Sequence, residues 1–379
     1  MWHWDTPQIL ENQAYKDPTC IFGKAKTGSA WLCGQNSPND IALYFQTYAR
    51  LLLREYGQYV TYWITLNEPL TLLGNGYTST THAPARCDDR TKCFDGDEVV
   101  EPFVVAHNFL RAHAMAFNAW RSSSTRLATS FAGITLNGDF VLPLTNSEPD
   151  VAAAVRDMEF QMAIFMDPIY FGQWPVSVIN GAGSALPPLD PIIYGTHTGI
   201  YFQNHYTSHY AYNNPNQTSG YMRNANLSTT AFQNGVPIGL PSSNGWLYAY
   251  PPGLAANQNW LHQRYPKMAF IVTENGWGND TTTKEQDVND LVRCNYYRSY
   301  IGNMSANSYV NGINVLGFFA WSIMDNFEWA DGFATRFGLT YVDFDSQERT
   351  PKLSLSWFKS ITSSFPQLPP QGQVTHVLL

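Results

Sequence analysis

The sequence contains little charge and no long apolar run. Charged residues make up 14% of its 379 residues, the net charge is −8, and no basic run or stripe occurs. These features argue against a protein that binds nucleic acid, because such proteins cluster lysine and arginine on one surface. The absence of any run of about 18 apolar residues predicts no membrane-spanning helix. Because 44% of the residues are hydrophobic, we expect a folded chain with a sizeable core.

Three common cofactor motifs are also missing. The sequence has no Cys-x2-Cys, no His-Glu-x-x-His, and no Gly-x-Gly-x-x-Gly after a predicted strand. Zinc sites of those types and the doubly wound nucleotide-binding fold therefore have no support. His107 and His113 lie on one side of a predicted helix, and we interpret them as packing or hydrogen-bonding residues. We expect no metal and no organic cofactor.

The five cysteines form two local pairs and one remainder. Cys20 and Cys33 bracket one short polar loop, and Cys87 and Cys93 bracket another. This spacing fits disulfide bonds better than a metal site. Cys294 falls on a predicted helix and is expected to be a buried thiol. Disulfides form in oxidising compartments, so the two pairs indicate a secreted protein or one held in the secretory-pathway lumen.

Four sequons for N-glycosylation add to this interpretation. Their acceptor residues are Asn216, Asn226, Asn279 and Asn303. Single sequons arise by chance, but four of them together fit a glycoprotein. The first residues lack the basic and apolar stretches of a signal peptide, so none is expected in this chain.

Two glutamates occupy matching positions far apart in the sequence. Glu68 and Glu274 each follow a short apolar, β-branched run that predicts a buried strand. A chain-breaking residue comes soon after each, Pro69 in one case and Gly276 in the other, so each glutamate lies where a strand ends. Burying a carboxylate is costly, and we therefore expect the two to converge on one pocket with a shared task. Such a pair is typical of glycosidases.

Predicted strands alternate with predicted helices along the whole chain. The strands fall at residues 60–66, 132–136, 199–203, 268–273 and 315–321, and the helices at 40–56, 101–120, 150–165, 284–304 and 353–363. Residues 74–96 and 212–244 are predicted to be loops. The alternation predicts one α/β domain over residues 1–379, with a parallel sheet or barrel. Polar side chains cluster at the carboxyl ends of the strands, where a (β/α)8 (TIM) barrel keeps its active site.

Eight segments resemble glycoside hydrolase family 1, the β-glucosidase family, in the same order along nearly the whole chain. They are HWDTPQ (3–8), TLNEP (65–69), HAPARC (82–87), EPFVVAHNFLRAHA (101–114), MDPIYFGQWP (166–175), FQNHYTSHY (202–210), TENG (273–276) and FAWSIMDNFEWADGFATRFGLTYVD (319–343). The resemblance implies a TIM barrel and assigns roles to individual residues. Glu68 is implied as the general acid/base and Glu274 as the nucleophile. Asn67 is implied to hold the sugar 2-hydroxyl, and Tyr206 to hydrogen-bond Glu274.

The resemblance also implies a sugar-binding set at the non-reducing end. Its members are His3, Trp321, Glu328 and Trp329, and Trp277 is implied as a wall for the leaving group. Two alternatives stay open from the residues themselves: the tryptophans at 277 and 329 could be core rings, and His3 could be a frayed chain end.

The implied activity is that of a retaining β-glycosidase that releases terminal non-reducing β-D-glucosyl residues by double displacement. Glu68 is a glutamate and not the glutamine of thioglucosidases, which implies an O-glycoside as the substrate. Glu328 would repel a 6-phosphate, which implies an unphosphorylated small β-glucoside or oligosaccharide, with galactosides and fucosides left open. The alternatives are a catalytically inactive form that binds sugar or protein, and a transglycosidase.

We expect the barrel to be incomplete. The resemblance begins at the end of the third barrel strand, so the first two strands and most of the third have no counterpart among these residues. The same comparison leaves no counterpart for a sugar-binding glutamine and for an arginine beside the nucleophile. An open barrel would expose two sheet edges.

Overall fold

The structure is a computed structural model that describes residues 1–279 and 283–363. The helices are α1 (Gln8–Ala14), α2 (Ile41–Tyr56), α3 (Pro69–Tyr77), α4 (Glu101–Ser122), α5 (Glu148–Met158), α6 (Ile164–Phe171), α7 (Val176–Ala182), α8 (Pro252–Arg264), α9 (Lys284–Val288), α10 (Leu291–Asn311) and α11 (Leu353–Thr362). The strands are β1 (Tyr62–Asn67), β2 (Phe131–Asn137), β3 (Phe140–Pro143), β4 (Ile200–Asn204), β5 (Ser208–Asn213), β6 (Leu227–Thr230), β7 (Phe232–Gln233), β8 (Val236–Pro237), β9 (Leu240–Pro241), β10 (Tyr248–Ala249), β11 (Ala269–Glu274), β12 (Val315–Phe318), β13 (Thr340–Val342) and β14 (Arg349–Pro351).

A five-stranded parallel sheet organises the molecule. Its strand order is β1-β2-β4-β11-β12, and at least one helix follows each of the first four strands before the next begins. All five residues of the central strand β4 are buried, as expected for a strand covered on both faces. These are the five strands that the alternation predicts. Within the described residues, β1 and β12 each have one neighbour in this sheet, so the barrel is open between them.

The largest hydrophobic core lies between the sheet and helices α2, α4, α5 and α6. Helix α4 is buried along most of its length, and its His113 connects two other parts of the chain. The His113 Nδ1 atom lies 2.6 Å from Thr65 Oγ1 of β1, and Nε2 lies 2.8 Å from the Thr196 carbonyl oxygen. His107 on the same helix is also buried. The hydrogen bonds of His113 and the burial of His107, whose Nε2 atom has no partner among the described residues, agree with the packing or hydrogen-bonding roles predicted for them.

Residues 212–244 do not form the predicted surface loop. Strands β5 and β6 pair antiparallel there, with Tyr210 opposite Thr230, and β5 also pairs with β3. Two small antiparallel pairs, β7 with β8 and β9 with β10, follow. The abundance of asparagine and serine concealed these short strands, because their stability comes from cross-strand pairing and not from local propensity.

Several further boundaries differ from the prediction, and the strand predicted at 315–321 ends at Phe318. The loop expected from residue 74 begins only after Tyr77, because α3 continues to that residue. The helix predicted at 150–165 contains a π-helical segment, Glu159–Ala163, and then continues as α6 across Pro168 to Phe171. The helix predicted at 284–304 is two helices, α9 and α10.

The cysteines pair as the spacing predicts. The sulfur atoms of Cys20 and Cys33, and those of Cys87 and Cys93, lie within disulfide bonding distance. Cys294 is free and buried. Within the described part of the chain, one group of candidate metal ligands is close enough to share an ion, and it consists of Asp17 with the already bonded Cys20 and Cys33. No helix among residues 1–279 and 283–363 combines the length and apolar character that crossing a membrane requires.

A buried charge cluster fixes the region after β12. The Lys352 Nζ atom lies 2.8 Å from Asp287 Oδ2 and 2.9 Å from Asp325 Oδ1, and all three side chains are fully buried. Asp325 also accepts from Arg336 at 2.7 Å. Buried charges need such partners because the desolvation of an isolated ion is costly. The cluster therefore joins α9, the loop after β12 and the start of α11.

Candidate active site

The two predicted glutamates lie at the carboxyl end of the central sheet. Glu68 follows β1 directly and adopts a left-handed backbone conformation (φ 56°) as the cap before α3. Glu274 is the last residue of β11 and lies opposite Asn204 of β4 in the parallel register. Asn137, the last residue of β2, lies opposite Asn204 on its other side. The parallel register therefore brings strand ends from three separate stretches of sequence to one edge.

Asn204 links these strand ends. Its side chain is fully buried, and its Nδ2 atom donates to Glu68 Oε1 at 2.7 Å and to Asn67 Oδ1 at 3.1 Å. Its Oδ1 atom accepts from Thr273 Oγ1 at 2.6 Å. Together these three bonds allow the amide group only one orientation. Asn204 therefore holds the Glu68 carboxyl in a fixed position beside β11.

Tyr206 holds the second carboxyl. Its hydroxyl donates to Glu274 Oε2 at 2.7 Å. The hydroxyls of Tyr296 and Tyr300 donate to the Tyr206 carbonyl oxygen at 2.8 and 3.1 Å, which fixes the backbone that carries it. The structure therefore contains the Tyr206–Glu274 contact that the resemblance implies.

Burial raises the pKa of both carboxyls. For Glu68, desolvation outweighs the hydrogen bonds from Asn204 and Thr71, which lower the pKa. For Glu274, desolvation and then the charge of Glu68 raise the pKa to about 8, against the lowering effects of Tyr206, Asn204 and Asn67. Tyr206 therefore does not by itself keep Glu274 ionised, because burial and the charge of Glu68 outweigh its hydrogen bond. The effect of the Glu68 charge on Glu274 also indicates that the two carboxyls share one electrostatic environment.

No cation offsets this effect in the described residues. No lysine or arginine among them forms an ion pair with Glu274. A positive charge close to a carboxyl would favour its ionised form and lower its pKa.

Two residues of the predicted sugar-binding set, Trp321 and Glu328, contact each other, and the charge of Glu68 reaches Glu328. Trp321 Nε1 donates to Glu328 Oε2 at 3.3 Å. Burial raises the pKa of Glu328 to about 7. The charges of Asp331 and Glu68 add to this rise, and the hydrogen bond from Trp321 opposes it. Trp329 is 40% exposed, and its ring centroid lies 4.7 Å from that of Trp4. An exposed ring beside the site fits a sugar-stacking surface better than a core position.

His3 is buried against aromatic rings and is not a frayed end. It is 3% exposed, and its ring centroid lies 5.3 Å from that of Phe109 and 5.4 Å from that of Trp4. Burial lowers its pKa to about 3, so the imidazole is neutral at pH 7. Both ring nitrogens are buried, and neither has a hydrogen-bond partner among the described residues.

Trp277 and the sequons complete the predicted residues. Trp277 is 3% exposed and packs against Tyr296, which agrees better with a core ring than with a wall for the leaving group. Among the acceptor asparagines, those at 216, 226 and 303 are exposed and the one at 279 is half-buried. The sequon of Asn279 continues into residues 280–282, which lie outside the described residues.

The sequence reasoning missed residues on the far side of Glu68. Thr71 Oγ1 donates to Glu68 Oε2 at 2.9 Å and accepts from Asn137 Nδ2 at 2.8 Å. The signal was present, since Thr71 lies three residues after Glu68 and one helical turn brings such residues together. The helix itself was not predicted at this position.

Thr71 and Asn137 also line a polar cavity of about 660 Å³. On its opposite wall, His209 lies between two aspartates, with Nδ1 at 3.1 Å from Asp139 Oδ2 and Nε2 at 2.8 Å from Asp157 Oδ2. The two carboxylates outweigh the effect of burial and raise the pKa of His209 to about 10. The imidazole of His209 is therefore charged at pH 7.

Comparison with known proteins agrees with this geometry. The model of glycosyl hydrolase family 1 matches residues 1–365. Beta-glucosidase 6 of Oryza sativa subsp. japonica is 35% identical over 378 residues, which cover 95% of this chain and 68% of the rice protein. Beta-glucosidase 13 of Arabidopsis thaliana is 35% identical over 373 residues, which cover 96% of this chain and 69% of that protein.

Solved structures give the same answer. A mutant rice β-glucosidase in a covalent complex with Glc has a TM-score of 0.87 at 33% identity, over 95% of this chain and 74% of the other. A β-glucosidase from the fungus Humicola insolens in complex with glucose has a TM-score of 0.85 at 34% identity, over 96% and 74% of the two chains. The predicted TIM-barrel class is confirmed. The chain belongs to glycosyl hydrolase family 1 and is a glycoside hydrolase.

Proposed function

We propose that this protein hydrolyses the terminal non-reducing β-D-glucosyl residue of unphosphorylated O-glucosides, with retention of configuration. The observation that carries the proposal is the half-buried carboxyl pair around Asn204: this amide donates to Glu68, and the charge of Glu68 raises the pKa of Glu274. Two desolvated carboxyls that repel each other cannot both ionise readily, so one keeps a proton while the other is charged. This is the state that acid-assisted displacement requires.

We assign Glu274 as the nucleophile and Glu68 as the general acid/base. Tyr206, Asn204 and Asn67 all lower the pKa of Glu274, whereas two side chains, Asn204 and Thr71, do so for Glu68. These hydrogen bonds favour ionisation of Glu274, but burial and the charge of Glu68 outweigh them and hold its pKa at about 8. The assignment of the nucleophile therefore rests on the place of Glu274 in the TENG segment. The rice relative that was solved in a covalent complex with Glc supports a covalent intermediate in this family.

The proposed reaction is a double displacement with two steps. In the first, a Glu274 carboxylate oxygen forms a bond to the anomeric carbon while the glycosidic C–O bond breaks, and Glu68 gives its proton to the leaving oxygen. In the second, ionised Glu68 takes a proton from water, whose oxygen replaces Glu274 at the anomeric carbon. No step needs an oxidant, a metal or an organic cofactor.

Glu328 supports the choice of an unphosphorylated sugar. It lies beside Trp321, within electrostatic reach of Glu68, and has no cationic partner among the described residues. A phosphate at this position would meet a carboxyl group, whereas neutral hydroxyls can donate hydrogen bonds to it. The leaving group is proposed to extend toward the polar cavity lined by Thr71 and Asn137.

The test uses a fluorinated slow glucoside that traps the glycosyl-enzyme, followed by peptide mass spectrometry. The proposal predicts the label on Glu274, hydrolysis of an aryl β-glucoside, and retention at the anomeric centre. The variant Glu68→Ala should lose most activity and regain it with azide, which gives a β-glucosyl azide. Glu348→Gln, at an exposed carboxyl remote from the site, is the matched control and should keep full activity.

The alternatives give different results in the same experiment. Binding of glucose without hydrolysis or labelling would support an inactive sugar-binding form. A glycosyl-enzyme that transfers its sugar to an added alcohol in preference to water would support a transglycosidase. A label on any other side chain would refute the assignment of Glu274.

We also propose that the protein is a secreted or lumenal glycoprotein. The two cysteine pairs and the exposed acceptor residues Asn216, Asn226 and Asn303 support this location. Expression in a secretory host followed by an N-glycanase digest should shift the electrophoretic mobility. The variant Asn303→Gln should remove one glycan from the product, and an unchanged mobility after digestion would contradict the proposal.

A further inference from the structure

Glu68 must change its protonation state twice in each proposed turnover, and its two oxygens have different partners. Oε1 accepts from the amide of Asn204 at 2.7 Å, and Oε2 accepts from the hydroxyl of Thr71 at 2.9 Å. An amide nitrogen only donates, so the bond to Oε1 is the same in both protonation states. A hydroxyl both donates and accepts, so the bond to Oε2 can reverse.

Asn137 and the chain geometry fix the direction of the Thr71 hydroxyl. The Asn137 Nδ2 atom donates to Thr71 Oγ1 at 2.8 Å, which leaves the hydroxyl proton free to point at Glu68 Oε2. Thr71 is further held because its backbone N–H donates to the Glu68 carbonyl oxygen at 3.1 Å in the first turn of α3. The result is a directed chain of hydrogen bonds from Asn137 through Thr71 to Glu68.

We propose that Thr71 is a positioning residue that holds Glu68 Oε2 in both protonation states of the acid/base. This inference rests on the proposed role of Glu68. When Glu68 is ionised, the Thr71 hydroxyl donates to Oε2. When Oε2 carries the proton, that proton is donated to Thr71 Oγ1 and the hydroxyl turns away. The carboxyl thus keeps one orientation while its proton leaves for the glycosidic oxygen and returns from water.

Two matched variants separate this role from simple packing. Thr71→Val keeps the shape of the side chain and removes the hydroxyl, whereas Thr71→Ser keeps the hydroxyl and removes a methyl group. A residue that only packs would tolerate Val better than Ser. The positioning role predicts the reverse order, with Ser close to the parent protein and Val impaired.

The first readout does not depend on activity. Carbon-13 NMR of labelled glutamate carboxyls, assigned with Glu68→Gln, measures the pKa of Glu68 in the folded chain. Thr71 lowers this pKa in the parent protein, so Thr71→Val should raise it by about one pH unit, the size of effect expected for one hydrogen bond to a charged group. Thr71→Ser should leave it unchanged. An equal pKa in the parent and Val forms would overturn the proposal.

The second readout compares leaving groups. An activated aryl glucoside, whose leaving group needs little protonation, should lose little of its glycosylation rate in Thr71→Val. An alkyl glucoside, which depends on the acid, should lose roughly ten- to a hundred-fold in kcat/KM, because a misplaced acid forfeits part of the roughly 10²–10⁴-fold that general acid catalysis contributes. Equal losses for both substrates would overturn the positioning role. A lack of hydrolysis by the parent chain, combined with the predicted pKa shift, would refute the proposed function and leave the Thr71 contact established.

Discussion

Glu274 gives a prediction about stability that does not require substrate. Its pKa rises from 4.5 to about 8 on folding, first through desolvation and then through the charge of Glu68. A carboxyl with a raised pKa binds its proton more tightly in the folded protein than in the unfolded chain. The favourable contribution of Glu274 to the free energy of unfolding is therefore present in full below pH 4.5 and is lost as the pH rises through about 8. We expect Glu274→Gln, which removes the charge, to stabilise the protein most at pH 8.

The size of the effect follows from the same shift. The interval between 4.5 and about 8 spans about 3.5 pH units, which at about 1.36 kcal/mol per unit sets an upper limit of about 5 kcal/mol. Relaxation of the site and sharing of one proton with Glu68 reduce this value. We therefore expect Glu274→Gln to raise the free energy of unfolding by about 2–4 kcal/mol at pH 8 and by much less at pH 4.5.

The assay is urea unfolding, followed by tryptophan fluorescence, at several pH values from 4.5 to 8. Glu348→Gln is the control, because its side chain is 64% exposed and its ion pair with Lys284 lies on the surface. In Glu68→Gln the charge that raises the pKa of Glu274 is gone, so the pH dependence should become weaker. A stability gain in Glu274→Gln that does not change with pH would refute the reasoning.

Three other substitutions test neighbouring parts of the structure. Tyr206→Phe removes a hydrogen-bond donor to Glu274 and should raise the pKa of that carboxyl. The acidic limb of the pH profile of kcat/KM should therefore move to higher pH, and kcat/KM should fall about ten-fold. His209→Gln leaves the fully buried Asp157 without its cation and should lower the free energy of unfolding by about 3 kcal/mol, measured with urea at pH 6. The pKa of His209 is raised to about 10, so this difference should shrink as the pH rises past that value. Lys352→Met leaves the buried Asp287 without an ion-pair partner, while Asp325 keeps Arg336. It should cost about 3–5 kcal/mol, seen as a lower thermal unfolding midpoint, and an unchanged midpoint would contradict the charge cluster.

The sequence by itself determined the strand ends and the chemistry that they carry. A short β-branched run followed by a glutamate and a chain-breaking residue indicates a buried strand that ends at that glutamate. The sequence alone therefore places Glu68 and Glu274 at strand ends. The alternation of strands and helices fixed the fold class for the same reason, because hydrophobic periodicity is a local property of the chain. The cysteine pairs are also local, since their members lie 13 and 6 positions apart in the sequence.

Only the tertiary structure decided how these residues meet. The bond from Asn204 to Glu68 crosses 136 positions of sequence, and the one from Asn137 to Thr71 crosses 66. The parallel register of β1, β2, β4 and β11 creates these contacts, and no local pattern encodes them. The raised pKa of Glu274 likewise depends on burial and on a charge contributed by another strand, which are properties of the folded chain alone.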